Sequence, residues 1–325
     1  MKLLKDLIEC NTYEGDYTGI IEVIRDFVAG KTNGTVIEQP VAEKKSNVIV
    51  RFGNPQLVIN CHMDTVIPAG DWNRPPLLLY QDEERLYGLG TADTKGNIYM
   101  VLKAVEAAKP KDLMLLFSID EESGSKTGVQ YFLDSDYGKD LKAAIVCEPT
   151  SLVFANRHKG VYSYYVEHRT EGGHSSIKAE SAVVEAAKDI IDLDAQGFNI
   201  GKVECANASN VVAQNCRFKA SVRTYEEPEA ASDRIRKISR KGIIISSFIG
   251  RPLENDRPHI SGADCELDFW TEAPLFQNAG INAVVFGAGN IRQAHKINEY
   301  VEIQQLSDGQ KIIEKIIGEE KWQNA

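Results

Sequence analysis

The sequence predicts an α/β protein: a doubly wound catalytic sheet interrupted by a smaller inserted α+β domain. Three observations predict it. Short runs rich in Val, Ile and Leu alternate with helix-like segments through the first half of the chain. The middle switches to a strand, helix, strands, helix, strand order. A core-type strand and a closing helix then return near the C-terminus, so the middle reads as an insertion.

Each element follows from a local pattern. The opening MKLLKDLIEC has apolar positions broken by Lys5, Asp6 and Glu9. That suits a first amphipathic helix and lacks the apolar core of a signal peptide. Residues 48–50 and 57–60 are apolar, β-branched and followed by turn-type segments, as strands are. Over 95–108 the apolar residues Ile98, Met100, Val101, Leu102, Val105 and Ala108 predict a helix. Residues 113–119 are a continuous apolar run, expected of a central strand buried on both faces, and 143–147 is another. In the middle, 161–168 reads as a strand, 181–193 as a helix, 211–225 as strand-rich, 228–241 as a helix and 242–249 as a strand. Residues 283–286 resume the core sheet and 306–317 close it with a helix. The boundaries that follow are a catalytic domain over 1–156 and 255–325, and an inserted domain over 157–254.

Composition narrows the function. A length of 325 residues suits two domains or one large domain with an insertion. The formal net charge of −10 argues against nucleic acid or an anionic membrane as a standing partner. No run of about 18 apolar residues occurs, so no membrane span is expected. The six cysteines, Cys10, Cys61, Cys147, Cys205, Cys216 and Cys265, form no C-x-x-C pair, which disfavours a thiolate zinc site. With no secretion signal, they are expected to be free thiols in a reducing, cytoplasmic setting.

Five segments carry the chemistry, and four directly follow strand-like runs. His62-Met63-Asp64 follows 57–60; an imidazole at a strand's carboxyl end is placed to bind a metal, with Asp64 orienting it. Taken alone it reads more simply as a surface loop with an incidental histidine. In Gly90-Thr91-Ala92-Asp93-Thr94-Lys95-Gly96, Asp93 precedes a helix, as a simple N-cap would or as a metal-bridging carboxylate. Asp120-Glu121-Glu122 ends a buried strand, where three acids are costly without a cation; a solvated acidic loop is the alternative. Glu148, in Cys147-Glu148-Pro149-Thr150, is again a carboxylate at a strand end. His295 stands in Ala294-His295-Lys296-Ile297-Asn298-Glu299. Together these supply two imidazoles and three carboxylates, all in core portions. That is a ligand set for two borderline-to-hard cations sharing one carboxylate.

This ordered set, H-x-D, G-x-x-D-x-K-G, D-E-E, C-E-P-T and A-H-x-x-N-E, closely resembles the co-catalytic zinc acyl-amino-acid hydrolases, the family of acetylornithine and acetylcitrulline deacetylases, succinyl-diaminopimelate desuccinylase and the aminoacylases. The resemblance runs the length of the chain. It implies two Zn2+ ions, replaceable by Co2+, with His62 and Glu148 on one, Glu122 and His295 on the other, and Asp93 between them. Glu121 would be the general base and acid, and Asp64 would support His62. It further implies a ferredoxin-like lid that dimerises the chain. His174, in Gly173-His174-Ser175, would donate to the oxyanion, in cis or in trans; alone it reads equally as a turn histidine. Asn210, with Arg223, resembles an N-x-x-P…R pattern in which Ala213 replaces the usual Pro. Arg223 would clamp the substrate carboxylate, a surface ion pair being the alternative.

The run Asp268-Phe269-Trp270-Thr271-Glu272-Ala273 is closest to the deacetylases of arginine biosynthesis, acting on small N-acyl amino acids, with Glu272 as a contact for the substrate side chain. A desuccinylase, a lysine-pathway deacylase and a dipeptidase share the chemistry and stay open. A catalytically inactive metal binder and a non-enzymatic dimer module are the competing classes. Retention of Glu121 beside five ligand candidates argues against both.

Overall fold

The computed structural model describes residues 1–124, 127–205 and 208–318. Every residue of the strands Leu113–Ser118, Leu57–His62 and Ala143–Val146 is buried. With Asn282–Val285 they lie side by side and parallel, in the order 113–118, 57–62, 143–146, 282–285. Strands covered on both faces need apolar side chains pointing both ways, so these runs do not alternate. The sheet as a whole is mixed. Lys45–Phe52 and Thr35–Ala42 extend it antiparallel on one side. Ala155–His158, Leu253–Glu254 and Cys265–Leu267 complete its nine strands on the other.

Helix Lys95–Ala108 turns Ile98, Met100, Val101, Leu102 and Val105 into the core. It packs against the closing helix Ile303–Gly318 and the first helix Lys2–Glu9. The latter buries Leu4, Leu7 and Ile8, the i, i+3, i+4 stripe of an amphipathic helix. Truncating such a fully buried leucine costs about 2–5 kcal/mol. Thr18–Lys31 joins the same layer, while Thr127–Leu133 and Ala273–Asn278 form a separate pair. Among the described residues no helix is long and apolar enough to cross a membrane.

Contacts divide the chain into two units. One comprises Met1–Arg157, Glu254–Leu267 and the chain from Thr271; the other comprises His158–Leu253 and Asp268–Trp270. Asp268–Trp270 joins the second because the Trp270 ring meets Phe248 edge-on at 5.4 Å and its Nε1 donates to the Arg251 carbonyl. This unit is an antiparallel sheet in the order Asn199–Glu204, Asn215–Thr224, Gly160–Arg169, Ile243–Gly250. Alternate residues of Asn215–Thr224 are buried, as in a sheet with one wet face. Helices Ala182–Ala195 and Pro228–Ile238 cover the dry face through Ala182, Ala186, Leu193, Ala231 and Ile235.

One expectation is corrected here. Cys205 and Cys216 form a disulfide with Cα atoms 4.6 Å apart. The pairing Glu204↔Arg217 sets Cys205 directly opposite Cys216 on neighbouring antiparallel strands. Strand Asn199–Glu204 is largely exposed and gives no apolar signal, so its register was not readable from sequence. Cys10, Cys61, Cys147 and Cys265 are free.

Candidate metal centre

Because the four central strands are parallel, their carboxyl ends line one edge of the sheet, the place where open α/β sheets bind ligands. His62 ends Leu57–His62, Glu121 and Glu122 follow Leu113–Ser118, and Glu148 follows Ala143–Val146. His295 comes after Asn282–Val285 and its turn, and Asp93 sits just ahead of helix Lys95–Ala108. Asp93 stands between the two imidazoles: its Oδ1 is 3.0 Å from His62 Nε2 and its Oδ2 is 3.5 Å from His295 Nε2. Glu148 Oε1 is 4.0 Å from His62 Nε2, and Glu122 Oε1 is 2.8 Å from His295 Nε2. Each oxygen of one carboxylate thus faces a separate histidine–glutamate pair. The ligand atoms of His62, Asp93 and Glu122 all lie within 4.8 Å of one another.

The electrostatics call for a cation. His62, Asp93 and Glu148 are buried, and crowded carboxylates in a dry site are costly without counter-charge. Burial and the neighbouring Glu122, Glu272 and Asp93 carboxylates raise the Glu121 carboxyl well above its usual range, against the pull of His62. Burial and Asp93 do the same to Glu148. His295 is pushed up to about 9, first by its bond to Glu122. Burial and mutual repulsion thus disfavour the ionised carboxylates in the polypeptide alone. Divalent ions would supply the counter-charge, and the mixed imidazole–carboxylate donor set suits zinc-type ions.

Asp64 does more than the sequence suggested. His62 Nδ1 donates to the Asp64 backbone carbonyl at 3.0 Å, which leaves Nε2 free to act as a ligand. The Asp64 carboxylate accepts the backbone N–H groups of Glu121 at 3.3 Å and Glu122 at 2.9 Å. It therefore anchors the acidic turn as well as the imidazole. Asp120 opens that turn in the left-handed region (φ 63°). Its carboxylate accepts from Tyr17 Oη at 3.2 Å and Lys45 Nζ at 2.7 Å. Neither Tyr17 nor Lys45 stands out in sequence, because both are ordinary residues far along the chain from Asp120.

Glu272 bonds to two strands of the central sheet. It is buried, and its Oε2 accepts from Asn60 Nδ2 and Ser118 Oγ, both at 2.9 Å. Burial pushes its carboxyl up to about 7. Through Oε2 the carboxyl is tied to the two strands that present His62 and the acidic turn. Glu299, which carried no assigned role, accepts N–H groups from Ala92 at 2.8 Å, Asp93 at 3.0 Å and Gly90 at 3.0 Å. Thr94 occupies the helix N-cap position without a side-chain cap bond; its Oγ1 donates to the His62 carbonyl instead.

The remaining expected residues lie in the second unit. Gly173–His174 pairs with Val211–Val212, and Ser175 N–H donates to the Asn210 carbonyl at 3.1 Å, so one ribbon carries His174 and Asn210. Arg223 is exposed on Asn215–Thr224.

Residues 58–214 match the family described as peptidase family M20/M25/M40. Over 297 residues the chain is 31% identical to an acetylornithine deacetylase of Myxococcus xanthus, covering 78% of this chain and 77% of that one. The chain belongs to peptidase family M20/M25/M40. This M20 chain is also 29% identical over 305 residues to an N-acetyl-L-citrulline deacetylase of Xanthomonas campestris pv. campestris, covering 82% of each. Its fold matches that of an M20 family metallo-carboxypeptidase from Sulfolobus solfataricus, with a TM-score of 0.78, 15% identity and 98% of each chain covered. The M20 chain is a metallohydrolase of amide bonds.

Proposed function

We propose that this M20 protein hydrolyses the amide of an N-acetyl amino acid, N-acetylornithine or N-acetylcitrulline, to the free amino acid and acetate in arginine biosynthesis. The observation that carries the reading is Asp93, placed between the His62–Glu148 and His295–Glu122 pairs with Glu121 alongside. The relatives named as deacetylases of those two substrates support it.

His62 and Glu148 would hold one Zn2+, His295 and Glu122 the other, and Asp93 both; Co2+ would serve in either place. When bound, the two ions supply Lewis acidity at the scissile carbonyl and the attacking water. Glu121 takes the proton of that water and delivers it to the departing amine. Asp64 fixes the Glu121 backbone while this happens.

Residues 157–254 act in this reading as a ferredoxin-like lid on a catalytic domain made of 1–156 and 255–325. The β-α-β-β-α-β order of its antiparallel sheet supports that. Ser176 N–H donates to His174 Nδ1 at 3.2 Å, so the neutral ring carries its proton on Nε2. His174 thereby presents a donor for the developing oxyanion, reaching the centre of a second copy in a homodimer. Ile243–Gly250 ends its sheet and exposes Ile243, Ile245 and Ile249, an edge suited to pairing with that copy. Asn210 and the exposed Arg223 take the substrate α-carboxylate.

The test is release of free amine from N-acetylornithine, N-acetylcitrulline and N-succinyl-diaminopimelate, with dipeptides alongside. Turnover of one acetyl substrate well above the rest is expected. Cleavage of dipeptides or the succinyl compound alone would sink the substrate assignment and leave the metal centre standing.

A further inference from the structure

The segment that supplies His295 also reaches the other side of the metal centre. Four residues on, the Glu299 carboxylate is buried and gathers three backbone N–H groups: Ala92 and Asp93 on Oε1, and Gly90 on Oε2. These belong to the loop that presents Asp93. The rest of the loop is held through other groups: Thr91 turns back on the Gly88 carbonyl, Gly96 N–H donates to the Gly90 carbonyl, Asn97 Nδ2 donates to the Ala92 carbonyl and Thr94 Oγ1 to the His62 carbonyl, while the N–H groups of Gly90, Ala92 and Asp93 go to Glu299. Gly90 sits at φ +85°, and a side chain there would crowd Lys95 and Thr65, so the loop cannot be stiffened by a bulkier residue. The 295–299 segment is itself tethered. Asn298 Oδ1 accepts Asn73 N–H at 2.9 Å, and the Glu299 carbonyl accepts Gly88 N–H at 3.0 Å.

We infer that Glu299 is a positioning residue that sets the shared carboxylate of Asp93, and so couples the two metal positions through the segment that also bears His295. This rests on the two-metal reading above. A ligand contributes affinity only when its donor atoms are held where the ions sit, and partners one shell out are what hold them. Here a single carboxylate fixes the backbone of the one ligand both positions share. Disturbing Glu299 should therefore weaken both positions together, unlike the loss of His295, which belongs to one.

An isosteric change isolates the effect. In Glu299→Gln the amide oxygen still accepts from Ala92 and Asp93, but its NH2 opposes the Gly90 N–H, donor against donor. Glu299→Asp keeps the charge and withdraws it by one methylene.

The experiment is calorimetric titration of the metal-stripped wild type, Glu299→Gln, Glu299→Asp and His295→Ala with Co2+, paired with amide hydrogen exchange of the metal-free proteins. In Glu299→Gln both equivalents are expected to bind roughly 10–100-fold more weakly. Exchange should quicken at residues 90–93 and stay unchanged in Leu57–His62 and Leu113–Ser118. Glu299→Asp should fall in the same direction. His295→Ala should lose one equivalent and keep the protection at 90–93. Wild-type affinity at both positions in Glu299→Gln overturns the inference, as does loss of protection across the whole core, which would make Glu299 a general stability residue. If the wild type takes fewer than two equivalents, the two-metal reading fails by itself; unchanged exchange at 90–93 in Glu299→Gln overturns the clamp in either case.

Discussion

The Asp64 carboxylate accepts the backbone N–H of Glu122 at 2.9 Å, so the residue two positions after one metal-site histidine holds the turn that serves the other. Asp64→Asn replaces one acceptor oxygen with an NH2 group facing the N–H of Glu121 or Glu122. Activity should fall by roughly 10–100-fold, with weaker metal binding at both positions. Metal titration alongside steady-state kinetics checks this. An effect limited to the His62 position would show that Asp64 serves only the imidazole.

Glu121 lies among His62, Glu122 and Asp93, yet among the described residues it forms no ion pair with either histidine of the kind Glu122 and Glu148 make. Glu121→Gln is therefore expected to lower kcat by about 10²–10⁴-fold while both metal equivalents remain. Metal analysis of the purified variant decides the matter. Loss of an ion would make Glu121 a ligand and leave the proton transfer without a carrier.

His295→Ala removes the partner of Glu122 and one neighbour of Asp93. One metal equivalent should be lost and the other kept on His62 and Glu148. Retention of two would strike His295 from the ligand set.

His174→Ala should lower kcat by about 100-fold or more with a smaller change in KM, because an oxyanion donor acts in the transition state. Mixing His174→Ala with Glu121→Gln tests where it acts. Recovered activity in mixed dimers places His174 across the interface; none places it within its own chain. A near-normal rate for His174→Ala alone refutes the role.

The metal cluster was legible because its signal is local. A histidine or carboxylate at the end of an apolar run marks the carboxyl edge of a parallel sheet, and His62, Glu122 and Glu148 each stand there. The positioning residues give no such signal. Glu299 reaches Asp93 across 206 positions, and Glu272 reaches Asn60 across 212. A buried acid looks in sequence like any surface acid, whether its distant partners are side chains, as for Glu272, or backbone N–H groups, as for Glu299. The Cys205–Cys216 pairing depended on an exposed edge strand whose register only the fold defines.

Two metal ions held by His62, Asp93, Glu122, Glu148 and His295 would drive the proposed amide hydrolysis. The most direct test is to strip the protein with a chelator, add Zn2+ stepwise, and follow turnover of N-acetylornithine and N-acetylcitrulline against bound metal. No turnover is expected in the stripped protein, and the rate should reach its plateau at two equivalents. Full turnover without bound metal would contradict the two-metal reading.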